Sequence, residues 1–240
     1  MIDWPEKEHY TAEDLVEIIR ILRRPDGCPW DRVQTHRSIR KNFLEETCEA
    51  LEAIDADDPQ LLREELGDVL MQVAFHAVLE EEAGRSTFAE ICREVCEKLV
   101  YRHPHVFASA AQNAGINGWD ALKNKEKGRR TLADELDSVP ATLPALMRAQ
   151  KLQKRAAGHG IGPSDAAGAS AALDQAVRSW QAARSAAGEE ERARAAGQML
   201  FAAADALRLA GIDAEEALTF ASKAFCRALE SGRDAHQTEQ

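Results

Sequence analysis

Aromatic residues are scarce, at 5% of a 240-residue chain. Strands of all-β sandwiches and barrels draw on aromatic and β-branched side chains, so the shortage disfavours those folds. Positive charge is short as well. Thirty Lys and Arg face 41 Asp and Glu, for a formal net charge of −11. Phosphate neutralisation along a nucleic acid needs a cationic face, so a nucleic acid polymer is not an expected partner. A small polyanion stays open, because a few local cations or metal ions override the global sign. Long apolar runs are missing too. The longest, residues 69–79, is interrupted by Gln72 and His76 and falls short of the roughly 20 residues of a membrane span. The N-terminal MIDWPEKEHY has no cationic stretch leading into an apolar one, as a secretory signal would. The five cysteines are an odd number without disulfide-framework spacing. Cys92 and Cys96 stand one helical turn apart, with only His103 and His105 nearby to complete a zinc site, so buried reduced thiols are expected. These features predict a cytoplasmic protein with no membrane partner.

What is present is helix. Hydrophobic residues make up 45% of the chain, enough for a real core. The length fits one large or two small domains. Thr11 with Asp14 forms a capping-box pattern that opens a helix to about residue 24. Pro25, Gly27 and Pro29 break it, and residues 27–36 read as an ordered loop. Further helices are expected over residues 38–55, from Asp58-Pro59 to about Gly84, and from Thr87 to about Arg102. A short charged helix follows over 119–130, and another over 144–157. Residues 159–168, rich in Gly, Pro, Ser and Asp, read as a linker. Ala-rich helices are then predicted over 174–187, 189–210 and 213–231, with a frayed tail after Gly232. The fold class is all-α, a four-helix-bundle-like first half followed by a smaller helical unit.

One helix carries an anomaly. Around a wheel at about 100° per residue, Leu61, Leu62, Leu66, Val69, Leu70, Met71, Val73, Phe75, Val78 and Leu79 point in nearly every direction. Such a helix is expected to be buried. Yet Glu65, Asp68, Gln72 and His76 fall on one narrow stripe. Buried acids are costly unless paired or metal-bound. The preceding helix offers Glu46 and Glu49 near its apolar face, with Asn42 beside them and Glu45 further round. If the two helices pack antiparallel, the acidic pairs can converge, and four or five oxygens at one point suit a hard cation such as Mg²⁺. Glu-Glu-x-x-Glu alone is common on solvated helix faces. The second pair of acids among apolar neighbours is what favours a metal site. His76 and Gln72 are expected to be core polar groups satisfied by a neighbouring helix.

Glu45-Glu46-Thr-Cys-Glu49 followed by Glu65-Leu-Gly-Asp68 resembles the EExxE…ExxD pattern of the MazG family of all-α nucleoside triphosphate pyrophosphohydrolases. The flanks resemble it too. Gly27-Cys-Pro-Trp-Asp-Arg-Val-Gln-Thr-His36 is similar to the family's N-terminal signature. Arg102-His-Pro-His-Val-Phe107 and Trp119-Asp-Ala-Leu-Lys123 resemble later elements, and Arg148-Ala-Gln-Lys-Leu-Gln-Lys154 resembles the joint between two halves. Two-domain members repeat the acidic pattern after that joint. Here the corresponding positions read Arg178-Ser-Trp-Gln-Ala182 and Ala195-Ala-Gly-Gln198, so the second half resembles a degenerate repeat that has lost its ligands. The organisation expected is a catalytic MazG-type domain over 1–135, a connecting helix and linker over 136–168, a degenerate MazG-like domain over 169–232 and a disordered tail over 233–240.

The resemblance implies hydrolysis of NTP or dNTP at the α-phosphorus, giving NMP and pyrophosphate. It implies Mg²⁺, with Mn²⁺ as a substitute, on Glu46, Glu49, Glu65 and Asp68. Glu45 would orient or deprotonate the attacking water, or hold a further metal. Arg102, Lys98 and Lys123 are candidates for the β- and γ-phosphates. Trp30 and Trp119 are candidates for stacking on the base, with Gln34, His36 and Asn42 as further substrate contacts. A homodimer is implied as well. The competing reading is a non-catalytic helical interaction protein. A di-iron carboxylate bundle needs two inward Glu-x-x-His pairs, and Glu6-Lys-Glu-His9 is the single such spacing.

Overall fold

A computed structural model describes Trp4 and residues 6–107, 128, 131–186 and 188–237. The described residues form eleven helices: α1 (Ala12–Arg23), α2 (Pro29–Arg32), α3 (Arg40–Asp55), α4 (Pro59–Glu82), α5 (Phe88–Arg102), α6 (Pro104–Phe107), α7 (Leu132–Asp137), α8 (Ala145–Ala157), α9 (Ala166–Ala186), α10 (Glu189–Leu209) and α11 (Ala214–Gln237). The chain divides into two compact units, Met1–Trp119 and Asp120–Gln240.

In the first unit, local chemistry sets the boundaries. Capping boxes at Thr11 with Asp14 and at Thr87 with Glu90 open α1 and α5. After α1 the chain turns back so closely that a Cβ at Gly27 would lie 2.4 Å from the Ile21 and Leu22 carbonyl oxygens. That approach lets the Cys28 N–H donate to Leu22 at 2.7 Å and admits only glycine. Residues 27–36 contain the single turn α2. A three-residue reversal then joins α3 to α4. Asp57 adopts φ 52°, a left-handed conformation that Asp tolerates. Asp58 caps α4 by accepting from the Gln60 and Leu61 N–H groups at 3.0 Å.

The α3–α4 hairpin closes on small residues, with Ala53 fully buried and Ala50 nearly so. Helix α4 also packs on α1 and α5. The core is Val16, Ile19, Ile39, Ala74, Phe75, Val78 and Leu79, with Leu15, Met71 and Phe88 against it. Two ion pairs tie α1 to the end of α4: Arg20 to Glu81 at 2.8 Å and Arg23 to Glu82 at 2.7 Å.

Two expectations need correction. Helix α4 is not buried all round. Its C-terminal half is buried, but Leu61, Leu66 and Leu70 are exposed, because α3, α1 and α5 leave one side of its N-terminal half uncovered. On α3, Leu44, Leu51 and Ile54 are exposed for the same reason, and Phe43 is at the margin. The thiols are not all buried either. Cys48, Cys96 and Cys226 are exposed and Cys92 is half-buried, all five cysteines being free.

The second unit is another helical assembly. Helices α9 and α10 pair closely, and α8 packs on α10, α11 and α7. Polar clamps from α8 hold it together. Gln150 donates to the Ala204 and Ile212 carbonyls at 3.1 and 3.0 Å and accepts from the Ala214 N–H at 3.2 Å. Gln153 donates to the Phe201 carbonyl at 2.7 Å. Glu215 reaches back from α11 to accept from the Leu146 and Met147 N–H groups at 3.2 and 3.4 Å, capping α8. Helix α9 begins inside the stretch read as a linker, opened by Asp165, whose carboxylate accepts from the Gly168 N–H at 2.7 Å. Helix α11 continues through Gly232 to Gln237.

Candidate functional site

The α3–α4 hairpin gathers the acidic residues. One turn separates Glu46 from Glu49 on α3, and Glu65 from Asp68 on α4. Carboxylate oxygens of Glu46, Glu49 and Glu65 lie within 4.8 Å of one another. Glu46, Glu65 and Asp68 are half-buried and Glu49 is exposed. No other three His, Cys, Asp or Glu side chains come together in this way among the described residues.

The cluster is electrostatically uneasy. Partial burial raises the Glu46 carboxyl above its ordinary value, and the charges of Asp68, Glu49 and Glu65 and a hydrogen bond with Glu49 push the same way. Glu65 is raised by desolvation and by Glu49, Asp68 and Glu64. Like charges at this spacing disfavour full ionisation unless a cation sits among them. No lysine or arginine contributes to either shift. An all-oxygen, multiply anionic donor set is what Mg²⁺ or Mn²⁺ prefers, so these side chains fit a divalent cation.

The remaining candidates fall into groups. Glu45 is exposed and paired with Lys41 at 2.7 Å, one face round from the cluster. Asn42 is half-buried on α3. Arg102 is buried at the C-terminus of α5, with Lys98 one turn earlier and half-buried. Trp30, on α2, is 59% exposed, so its ring is open to contact. Gln34 uses its amide within its own loop: Nε2 donates to the Trp30 carbonyl at 2.9 Å, and Oε1 accepts from Ser38 Oγ at 2.7 Å. Trp119 and Lys123 lie outside the described residues.

His36 and His76 form a contact the sequence did not suggest. Their Nδ1 atoms lie 2.7 Å apart, with ring centroids 5.0 Å apart and 2° between planes, so the rings meet edge to edge. His36 Nε2 stands 2.8 Å from Glu80 Oε1, and Glu80 is in turn paired with Arg85 at 2.6 Å. The Arg85 guanidinium, by hydrogen bond and charge, holds Glu80 down to about 2, with His36 adding to it. Burial, and then the charge of His36, lowers His76 below its ordinary value against the pull of Glu80. The clue in the sequence was the stripe itself, on which His76 continues the line of Glu65, Asp68 and Gln72.

In the second unit the positions matching the acidic pattern carry no such group. Arg178 is exposed and bonds to Gln175, Trp180 is half-buried, Ala195 is buried and Gln198 is exposed.

Residues 34–107 match the model of the MazG nucleotide pyrophosphohydrolase domain. The chain is 39% identical over 227 residues to a nucleoside triphosphate pyrophosphohydrolase of Escherichia coli, covering 89% of this chain and 83% of that one. It is 35% identical over 213 residues to the nucleoside triphosphate pyrophosphohydrolase/pyrophosphatase MazG of Thermotoga maritima, covering 89% and 82%. With a nucleoside triphosphate pyrophosphohydrolase of Mycobacterium tuberculosis it shares 38% identity over 166 residues, 67% of this chain and 50% of that one. The matched segment holds the whole acidic hairpin and the histidine pair, and the chain belongs to the MazG nucleotide pyrophosphohydrolase family.

Proposed function

We propose that the first unit hydrolyses nucleoside triphosphates, ribo or deoxy, to the monophosphate and pyrophosphate in a reaction that depends on a divalent cation. The observation that carries this is the convergence of Glu46, Glu49 and Glu65 within 4.8 Å, with Asp68 close enough to perturb both Glu46 and Glu65. Mg²⁺ or Mn²⁺ held by these four side chains would neutralise the triphosphate and polarise its α-phosphate.

The chain's own residues supply the rest. Glu45, exposed beside the cluster, is placed to orient or deprotonate a water directed at the α-phosphorus once Lys41 yields. Arg102 and Lys98, at the end of α5, would hold the β- and γ-phosphates, with Lys123 as a further cation. The exposed Trp30 ring offers a stacking surface that tolerates different bases, and Trp119 would serve the same purpose. Asn42, Gln34 and His36 border the substrate, Gln34 and His36 chiefly by fixing the loop that carries Trp30.

The uncovered apolar side of the hairpin, with Leu44, Leu51, Ile54, Leu61, Leu66 and Leu70 exposed, supports a homodimer that seals this face. No helix among the described residues is long and apolar enough to cross a membrane. Five free cysteines fit a reducing cytoplasm. In the second unit the helices persist without the ligands, which supports a degenerate, non-catalytic repeat.

The test is a panel of NTPs, dNTPs and modified nucleotides with and without Mg²⁺, with products identified. NMP and pyrophosphate are expected. Orthophosphate release would overturn attack at the α-phosphorus, and no turnover with any nucleotide would leave a helical interaction protein.

A further inference from the structure

We infer that His76 is a positioning residue for the nucleotide site, sharing one proton with His36 in a latch that fixes the Trp30-bearing loop to α4. This inference rests on the pyrophosphohydrolase reading above.

A ring-nitrogen contact of 2.7 Å needs one proton between the atoms. One imidazole donates and the other accepts. His36 Nε2 faces the carboxylate of Glu80 at 2.8 Å, so this nitrogen carries a hydrogen. Two states then keep the latch closed. Either neutral His36 accepts at Nδ1 from His76, or cationic His36 donates at Nδ1 to neutral His76. A proton on every ring nitrogen sets two N–H groups head-on and places two like charges side by side, and the contact opens. The closed contact therefore holds one proton between the two rings.

The surroundings favour the closed form at neutral pH. From α4 comes Glu80, with Arg85 following in the next turn, bonded to Glu80 and 3.4 Å from His36 Nε2. From α3 come Arg40, which lines the same groove, and Phe43, whose ring lies 5.5 Å from that of His76. From α5 comes Ile91, which is uncharged. Burial and His36 both lower His76, in line with a second proton entering only in acid. A metal does not explain the contact, because Glu80 engages the ring nitrogen of His36 opposite to the one facing His76, and no third ligand converges among the described residues.

The loop has a second attachment that does not titrate. The Arg23 guanidinium donates to the Asp31 and Gln34 carbonyls and pairs with Glu82. An arginine keeps its charge throughout the working range. Breaking the His36–His76 bond therefore removes one of several attachments, loosening the loop that presents Trp30, while Arg23, the Cys28–Leu22 bond and the His36–Glu80 pair keep the fold intact. A loop that contributes binding contacts and no bond-breaking group alters KM more than kcat.

The test is steady-state pyrophosphate release by the full chain with saturating Mg²⁺, between about pH 5 and 8, the histidine range. The variants are His76→Ala, His76→Asn and Glu65→Ala. His76→Ala is expected to raise the nucleotide KM about tenfold at neutral pH and to change kcat less than about threefold, the scale of a misplaced binding group. His76→Asn, whose amide shares a hydrogen bond with His36 in either protonation state, is expected to restore KM to within about threefold. The wild type is expected to show a rise in KM on acidification, and His76→Asn to flatten it. An unchanged KM in His76→Ala, or a wild-type acid rise in His76→Asn, overturns the latch. If His76→Ala does not fold, the pH profile of His76→Asn decides alone. Glu65→Ala separates the two failures: full turnover there overturns the pyrophosphohydrolase reading, whereas a dead Glu65→Ala beside an unaltered His76→Ala overturns the latch alone.

Discussion

Glu46→Gln should make the metal-free protein more stable and remove its stabilisation by Mg²⁺. In the folded chain the Glu46 carboxyl sits above the 4.5 of an ordinary glutamate, through partial burial and the charges of Asp68, Glu49 and Glu65. The native state then binds more protons than the unfolded state between those two values. Its contribution to stability is complete below the unfolded value and is lost as pH rises through the folded one. At pH 7 the ionised carboxylate is a burden on the empty fold, which glutamine removes while keeping a hydrogen-bonding group beside Glu49. The cation reverses the balance. At about one hundred times its Kd a ligand adds about 2.7 kcal/mol to the native state. For a unit of this size that is a Tm increase of about 10 °C. Differential scanning calorimetry at pH 7, in chelator and then in Mg²⁺, reads both effects. The wild type should rise by about 10 °C with Mg²⁺. The variant should start higher in chelator and rise by less than about a third as much. An acidic face that is merely solvated predicts neither change. A variant that starts no higher and keeps the full Mg²⁺ shift would refute the argument.

Gln150→Ala deletes a side chain that makes three hydrogen bonds to α10, α11 and the turn between them. At about 1 kcal/mol net each, urea denaturation should show the second unit destabilised by about 2–4 kcal/mol, and a loss below about 0.5 kcal/mol would discount the clamp. Leu66→Asp places a charge on the uncovered side of α4. Light scattering should find the wild type dimeric and this variant shifted to monomer; an unchanged dimer would move the interface elsewhere. Gln198→Ala, in the second unit, should leave pyrophosphate release within about twofold of wild type, as for exposed positions away from a site, and a large loss would place chemistry in the second unit.

The sequence was most legible where local chemistry decides. Thr11 and Thr87 announced their capping boxes, and Asp58-Pro59 marked the start of α4 within a residue. The convergence of Glu46, Glu49 and Glu65 followed from helical spacing once a hairpin was assumed. Failures came where composition stands in for geometry. Leu61, Leu66 and Leu70 read as core because a leucine facing a missing partner has the same letter as one in the interior. Helix α9 starts eight residues before the expected 174, because Gly168 and a run of small residues give almost no periodic signal and its cap, Asp165, lies in a stretch with the composition of a linker. Asp134, partner of Thr131 in a third capping box, went unread beside the weakly patterned stretch before it. His76 sat on the right stripe, but its partner His36 is forty residues away in a loop, beyond the reach of any spacing rule.

The cap that Glu215 places on α8 comes from 69 residues further along the chain. During synthesis the Leu146 N–H is therefore exposed long before its acceptor exists. The α9–α10 pair can form in the interval, since its partners are neighbours in sequence. Helix α8 is without this cap until α11 has emerged and turned back. Long-range contacts of this kind form slowly, because loop closure precedes any gain from the contact. The first turn of α8 should thus be the last part of the second unit to become protected, and chains ending before Glu215 should leave it open to proteases while the acidic hairpin is already folded.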